Sequence, residues 1–351
     1  MEDFHERALE AIEEVFGDRM KSTPPENTGE ASGLELASVF PTSAEEVVLL
    51  AEVARRYSMP LAALGAETSP DTPVKEGRIL VRFDLMRGHQ LPDSDEPWAE
   101  AEPGALWLEL DDQLRLRGRG LTVYPTSAPK ATVGGWLAQD GVGVGSFEYG
   151  RLSENVVSAD VVTPDGGRRT VEGEELRLVV GPENGGAIVV GARLRTRRAE
   201  DDVPYVLAFG DSEDLARAVA SILDAGVPLW HLGLLSLQMA RLRGLGEEYL
   251  LFGAYPSERE ALARDALGEV ASLNDGRLLP SPDAYRVWGE RFFPVMPSHP
   301  TPILSDRTFV PVTEISAFLA KRPEMAVQGT VTRSGEVLLL AFDPHEMTMA
   351  R

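Results

Sequence analysis

The sequence predicts a two-part α+β protein, and three observations predict it. The chain has 351 residues, a length at which a single core usually splits into two. Segments with helical spacing of apolar residues are interspersed with short strand-like runs. A charged run from Arg195 to Asp202 separates two halves and reads as a boundary between them. Hydrophobic content of 43% with 26% charged residues is ordinary for a folded protein, so wholesale disorder is excluded.

In the first half, residues 4–16 form an amphipathic helix on spacing, with Phe4, Ala8, Ile12 and Val15 or Phe16 on one side. Lys21 to Ser32, rich in Pro, Gly, Ser and Thr, is the nearest thing to a linker. Thr42 with Glu45, or Ser43 with Glu46, makes a capping box, and Val47, Leu50, Ala51 and Ala54 continue that helix toward Pro60. Leu61 to Leu64 is a short buried strand, followed by the turn Gly65-Ala66-Glu67-Thr68-Ser69-Pro70. Ile79 to Leu85 alternates as a strand, and Leu106, Leu110 and Leu114 mark a helix that stops at Gly118. Leu121 to Tyr124 is a strand running into Pro125. Val156 to Val162, a Pro164-Asp165-Gly166 turn and Gly186 to Leu194 supply more strand.

The second half begins with a strand (Tyr205 to Phe209), a helix (Ser212 to Leu223, closed by Gly226) and a strand (Trp230 to Leu242). A strand (Tyr249 to Tyr255) and a helix (Ser257 to Leu273) follow, an order similar to a ferredoxin-like antiparallel layer with helices on one face. Ala326 to Arg333 is a hairpin arm ahead of the Ser334-Gly335 turn.

Composition narrows function. With 34 Lys+Arg against 56 Asp+Glu, the formal charge of −22 argues against nucleic acid and anionic membrane surfaces, which bind through basic side chains. Zero cysteine removes disulfides, zinc–thiolate sites, iron–sulfur clusters and a thiol nucleophile. The start, Met1 to Glu6, lacks the basic-then-apolar pattern of a secretory signal. The most apolar long window, Ala225 to Ala240, is too short to span a bilayer. A soluble, cytoplasmic protein is expected.

The densest glycine region runs from Gly134 to Gly150. Backbone without Cβ lets a phosphate or flavin chain reach N–H groups; a surface loop with several tight turns is the alternative. Gly141-Val142-Gly143-Val144-Gly145 lacks the spacing of a dinucleotide fingerprint, and no P-loop or nucleophile-elbow motif occurs. Histidines 5, 89, 231, 299 and 345 show no metal-ligand spacing, so no metal is expected. His231 reads more readily as a core or surface residue than as a ligand.

The order of these segments resembles the FAD-linked oxidases of the vanillyl-alcohol oxidase / p-cresol methylhydroxylase type, nearest to the glycolate oxidase and D-lactate dehydrogenase branch. Pro41-Thr42-Ser43-Ala44-Glu45-Glu46-Val47 matches the family's P-x-S-x-E-E-V helix start. Leu64-Gly65-Ala66-Glu67-Thr68-Ser69 stands at its R-G-G-G-T-S pyrophosphate loop. Asp84-Leu85-Met86 and Pro103-Gly104 through Leu110 follow in the family's order. The second flavin loop maps onto Pro125 to Gly150, through Thr132-Val133-Gly134-Gly135, Ala138, Asp140-Gly141-Val142-Gly143 and Tyr149-Gly150. Val157 to Gly166 and Gly181 through Arg195 continue it, and Trp288-Gly289-Glu290-Arg291 and Phe309 to Val312 echo the substrate domain.

The resemblance implies a two-subdomain FAD-binding domain over 1–198, divided near residue 90, and a ferredoxin-like substrate domain over 199–351. It implies non-covalent FAD, since there is no cysteine and no histidine near either glycine loop. The implied cofactor-binding residues are Gly65, Ala66, Glu67, Thr68, Ser69, Pro125, Val133, Gly134, Gly135, Asp140, Gly141, Gly143, Tyr149, Gly150, Ile188 and Val189. A small 2-hydroxy acid would lose a hydride to the flavin while an arginine clamps its carboxylate. Arg291 is nominated for that clamp, with Tyr285, Arg286 and His299 near it in sequence; a salt-bridged surface arginine is the alternative. A partner oxidase subunit or a homo-oligomer is also compatible with the family.

Three departures stand out. Glu67 occupies a glycine position, Leu64 an arginine position and Asp140 an asparagine position. A carboxylate about 4 Å from a phosphate costs on the order of 1–4 kcal/mol. The histidine-containing metal motif common in hydroxy-acid members has no counterpart. These departures support an alternative: a catalytically silent relative serving as partner subunit or scaffold, with weakened or lost FAD binding.

Overall fold

A computed structural model describes residues 2–22, 36–68, 77–91, 96–199, 201–292 and 301–348. The chain divides into two compact units. The first comprises Met1–Leu114, Lys130–Gly141 and Asn155–Thr196; the second comprises Arg115–Pro129, Val142–Glu154 and Arg197–Arg351.

Helix α1 (Glu2–Phe16) buries Ala8, Ile12 and Phe16, and Val15 is left exposed. Strand β1 (Met20–Ser22) takes up the first two residues of the expected linker, and residues 23–32 lie outside the described residues. Strand β2 (Ala37–Val39) precedes α2 (Ala44–Arg56). Of the two capping boxes the sequence allows, Ser43 with Glu46 forms: Ser43 Oγ accepts from the Glu46 amide at 3.4 Å. The Glu46 carboxylate reaches back to the Thr42 amide at 2.7 Å. The Arg19 guanidinium forks onto the same carboxylate at 2.5 and 2.6 Å. Glu45 turns instead to Arg168, at 2.7 Å.

Strands β3 (Leu61–Leu64) and β4 (Ile79–Arg82) are parallel, giving a sheet ordered β1-β2-β4-β3. The expected strand through Leu85 stops at Arg82, because the Met86 amide turns back onto the Phe83 carbonyl at 3.1 Å. Ile79 and Val81 face α1 and α2, and Ala62, Leu64 and Leu80 cluster apart from that core.

Strands β5 (His89–Gln90) and β6 (Trp98–Ala101) lead to α3 (Trp107–Arg115), which buries Trp107, Leu110 and Leu114. The chain passes into the second unit for β7 (Arg119–Leu121) and returns for α4 (Val133–Leu137). It leaves again for α5 (Ser146–Tyr149) and comes back for β8 (Val156–Val162), β9 (Arg168–Glu172) and β10 (Ile188–Arg198). These strands give an antiparallel order β5-β6-β10-β8-β9. The expected strand Leu121 to Tyr124 is shorter: after Leu121 only an isolated bridge, Tyr124 with Val144, continues the pairing.

The second unit opens on β11 (Asp202–Phe209) and α6 (Ser212–Asp224), capped by Asp211 Oδ1, which accepts from the Glu213 and Asp214 amides at 2.9 Å. Strand β12 (His231–Leu235) is followed by α7 (Leu237–Leu242), so the strand expected to run to Leu242 ends seven residues earlier. Ser236 is the reason: its Oγ accepts from the Met239 amide at 3.2 Å and starts a helix. Then come β13 (Tyr249–Pro256), α8 (Glu260–Leu273), β14 (Arg277–Leu278), α9 (Ser281–Gly289), β15 (Thr301–Pro311), α10 (Ile315–Ala320), β16 (Ala326–Val331) and β17 (Glu336–Thr348).

The sheet is ordered β14-β11-β13-β12-β16-β17-β15. Alternate residues of its strands divide two cores. Leu207, Leu232, Leu234, Leu251 and Leu339 pack with α6, α8 and α10, whereas Val206, Leu235, Phe252 and Phe342 pack with α7 and α9. The expected one-sided layer is therefore covered on both faces. The division between the two units falls at Thr196 and Arg197, inside the charged run that begins at Arg195. β10 continues through it to Arg198, and Arg197 donates to Asp202 Oδ1 and Oδ2 at 2.8 and 2.7 Å with both side chains buried.

Candidate functional site

In the first unit, Gly65 to Thr68 leave the carboxyl end of β3, the place where open sheets with parallel strands receive ligands. Ser69 lies outside the described residues. The second glycine loop starts at α4, whose cap is Thr132: its Oγ1 accepts from the Gly135 amide at 3.3 Å. Trp107 pins this start, its Nε1 donating to the Thr132 carbonyl at 3.1 Å and its ring meeting Trp136 edge-on at 5.0 Å.

The two loops touch. A Cβ at Gly65 would stand 2.6 Å from Thr132 Oγ1 and 3.0 Å from Gly135 Cα; one at Gly135 would stand 3.4 Å from Gly65 Cα. Gly134 sits against Pro103, to whose carbonyl its amide donates at 2.8 Å. A Cβ at Gly141 would lie 1.9 Å from Trp136 Nε1. Loop-on-loop packing thus demands these glycines, and the surface-turn alternative falls away. Among the described residues, no protein acceptor takes the amide protons of Gly65, Ala66 and Thr68.

Glu67 and Asp140 are both left-handed, at φ +51° and +45°. That region suits Gly and tolerates Asn, the residues of the pattern that Glu67 and Asp140 replace. Glu67 and Asp140 hold that conformation at a strain of about 1 kcal/mol or more each. The Glu67 carboxylate lies 3.8 Å from Arg82 Nη2.

Other nominated residues fall elsewhere. Val133 is the buried first residue of α4. Ile188 and Val189 pair with Val162 and Val161 in β10, and the Ile188 side chain packs in the core with Val81 and Phe83. Pro125, Gly143, Tyr149 and Gly150 belong to the second unit. There a Cβ at Gly143 would stand 2.3 Å from the Tyr124 carbonyl and 3.1 Å from Pro125 Cα. Tyr149 is the last residue of α5, its phenol raised by burial and by the Glu148 charge; Gly150, at φ +76°, caps that helix.

Arg291, also in the second unit, is half-buried and among the described residues pairs with no acid. Its Nε donates to Tyr124 Oη at 3.2 Å and its Nη1 to the Trp288 carbonyl at 3.0 Å. The guanidinium lies 4.6 Å from the Trp288 ring and 4.1 Å from that of Phe292. Tyr285 is exposed, and His299 lies outside the described residues.

Several residues of this neighbourhood have no spacing signal. Trp230 donates from Nε1 to the Thr122 carbonyl at 3.0 Å and lies edge-on to Trp288 at 6.0 Å. Arg197 stacks 3.6 Å over the Trp230 ring, and Arg115 joins it on Asp202 at 3.0 Å. His231 is fully buried and tilted against Trp288, and among the described residues its Nδ1 has no hydrogen-bond partner. Burial, with the Arg291 charge beside it, lowers its pKa to about 3, so the imidazole is neutral.

Residues 36–172 match the protein family described as FAD binding domain. The chain is 26% identical over 262 residues to mitochondrial cytochrome-type D-lactate dehydrogenase of Arabidopsis thaliana, covering 68% of this chain and 45% of that protein. It is 32% identical over 206 residues to a probable mitochondrial D-lactate dehydrogenase of Danio rerio, covering 54% and 41%. The chain thus spans less than half the length of these two curated relatives. Among solved structures, an alkyldihydroxyacetonephosphate synthase superposes with a TM-score of 0.77 at 17% identity, over 96% of this chain and 77% of that one. Substrate-bound p-cresol methylhydroxylase superposes with a TM-score of 0.73 at 14% identity, over 99% and 84%. At those identities the likeness is one of fold. Among the described residues no helix is long and apolar enough to cross a membrane. Over residues 36–172 the chain is therefore similar to the FAD binding domain family, and its α+β fold is like that of p-cresol methylhydroxylase.

Proposed function

We propose that this chain is an FAD-dependent oxidoreductase, or the FAD-binding part of one, and that it oxidises a small 2-hydroxy acid. The observation that carries the flavin reading is the meeting of Gly65 with Thr132 and Gly135, beside amides of Gly65, Ala66 and Thr68 that no described protein acceptor takes. N–H groups that no described protein acceptor takes, on a loop leaving the carboxyl end of a parallel strand, suit a pyrophosphate. The residues present therefore fit the cofactor: the amides of Gly65, Ala66 and Thr68 are the ones we assign to hold it, while Gly134 and Gly135, whose amides go to the Pro103 carbonyl and Thr132 Oγ1, and Gly141 let the backbone pack closely. Bound FAD supplies a two-electron acceptor, and with no cysteine and no histidine near either glycine loop in sequence its attachment is taken as non-covalent.

The hydroxy-acid reading draws on the D-lactate dehydrogenase relatives and on Arg291. Tyr124 and the Trp288 carbonyl hold two edges of that guanidinium, and the aromatic rings around it exclude water, which strengthens its attraction for a carboxylate. His231, neutral and buried, adds no competing charge there. The relatives are named as enzymes, which favours this reading over that of a silent scaffold. Acidity and zero cysteine fit a cytoplasmic setting.

The test is anaerobic reduction of the FAD-loaded protein by a panel of D- and L-2-hydroxy acids, read as loss of the visible flavin bands. Bleaching by a hydroxy acid, weakened at least tenfold in kcat/KM by Arg291→Gln, is the expected result. No bleaching by any member would overturn the substrate class.

A further inference from the structure

The resembled pyrophosphate loop opens on an arginine, and this chain has Leu64 there. The structure shows where a replacement charge stands. Strands β3 and β4 run parallel, and Leu64 is paired directly with Arg82. Paired residues of neighbouring strands project to the same face. A guanidinium thus sits one strand over from the vacated position, at the same carboxyl ends from which the Gly65 loop departs.

Arg82 is oriented from behind and loosely held in front. Its Nε donates to Ser38 Oγ, on β2, at 3.3 Å. Its Nη2 lies 3.8 Å from Glu67 Oε2, which is an ion pair but too long for a hydrogen bond. The side chains are 27% and 32% exposed, so neither is locked in the core and the outer guanidinium edge is within reach of solvent. A phosphate oxygen offers that edge a short, charge-assisted bond that the carboxylate at this distance does not. Glu67 also follows Gly65 and Ala66, whose amides meet no described protein acceptor, and its backbone is left-handed at φ +51°.

We propose that Arg82 is a phosphate-binding residue for the FAD pyrophosphate, and that Glu67 occupies its guanidinium until the pyrophosphate displaces it. The charge missing at position 64 is thereby returned, and before the pyrophosphate binds the same residue neutralises the acid at position 67. This rests on the FAD reading above and adds a residue to it.

The experiment is titration of the full chain with FAD, followed by flavin fluorescence, with ADP as competitor because it carries the same pyrophosphate without the flavin. Arg82→Gln is expected to weaken FAD and ADP together by about tenfold to a hundredfold. Arg82→Lys, which keeps the charge but loses the fork, should fall between Gln and the unaltered chain. Glu67→Gln should tighten both ligands several-fold by removing the competitor. Melting of the ligand-free variants checks the fold; if Arg82→Gln melts early, the Lys variant and Glu67→Gln decide the matter. Unaltered FAD affinity in Arg82→Gln overturns the assignment while leaving the FAD reading intact. Weakening by Glu67→Gln as large as that by Arg82→Gln overturns it too, since the pair would then be a clamp on the loop. Failure of the unaltered chain to take up FAD overturns both readings.

Discussion

Replacing Gly65 by Ala puts a methyl group where the two glycine loops meet. The new Cβ would stand 2.6 Å from Thr132 Oγ1 and 3.0 Å from Gly135 Cα, both inside ordinary van der Waals contact. Neither neighbour yields cheaply. Gly135 Cα is backbone, and Thr132 Oγ1 is committed to the Gly135 amide as the cap of α4. Relief requires the loops to separate by the better part of an ångström. Overpacking of that kind costs about 1–3 kcal/mol, and loss of the cap adds about 1 kcal/mol. Gly65→Ala should therefore destabilise the first unit by about 2–4 kcal/mol and weaken FAD at the same time, because the same displacement moves the Gly65 and Ala66 amides. Chemical denaturation of the ligand-free chain measures the first effect and an FAD titration the second. A double-mutant cycle with Thr132→Ala isolates the contact: that change alone should cost about 1 kcal/mol, and the pair should cost less than the sum of the singles. Unchanged stability and unchanged FAD affinity in Gly65→Ala would refute the loop-on-loop account.

Other consequences are smaller or lie elsewhere. Hydrogen bonding from Arg19 lowers the Glu46 carboxyl from 4.5 to about 2. Its contribution is therefore fully present above pH 4.5 and fades as pH falls toward 2; discounted for its solvent contact it is worth about 1–2 kcal/mol, and Arg19→Gln should reduce that acid-range dependence in denaturation curves to the part that Thr42 supplies. For Asp202 burial alone would raise the carboxyl, but hydrogen bonding and charge from Arg197, with Arg115, hold it below its ordinary value. Asp202→Asn leaves the buried Arg197 charge uncompensated and should cost about 3–5 kcal/mol, read as a lowered denaturation midpoint; a neutral result would contradict the ion pair's burial. Gly268 lies inside α8, and a methyl group there would meet no atom within 4 Å, so Gly268→Ala should stabilise the second unit by about 0.5–1 kcal/mol, read as a raised denaturation midpoint.

What could be read from residues alone divides along the range of the interactions involved. The start of α2, the close of α6 near Gly226 and the turn at Gly335 are set by neighbours a few positions apart, and local patterns expose them. The order of motifs leads to the flavin loops, yet it does not give the reason for their glycines, because Gly65 meets Gly135 seventy residues later. The strand expected from Trp230 to Leu242 fails for a related reason. An unbroken apolar run hides the change of period, and only the Ser236 cap marks it. The charged run near Arg197 reads as a boundary and no more, because nothing local shows that Arg115 and Trp230 enclose its ion pair. Arg82 is invisible for the same cause: its pairing opposite Leu64 exists only once β3 and β4 lie side by side.

The departures at Glu67 and Asp140 also change meaning in the structure. As letters they are two carboxylates at a pyrophosphate site, whose repulsion could reach several kcal/mol. In place, both retain the left-handed backbone that the loops require, and Glu67 lies beside Arg82. The left-handed backbone at both positions is held at the expense of strain.

The central claim is that the two loops form an FAD site, and equilibrium binding of FAD to the purified chain tests it most directly. The account predicts saturable uptake of one FAD per chain, with a visible flavin spectrum that survives desalting and is released by denaturation, as befits non-covalent attachment. A chain that stays colourless after incubation with excess FAD, and leaves flavin fluorescence unchanged, would contradict it.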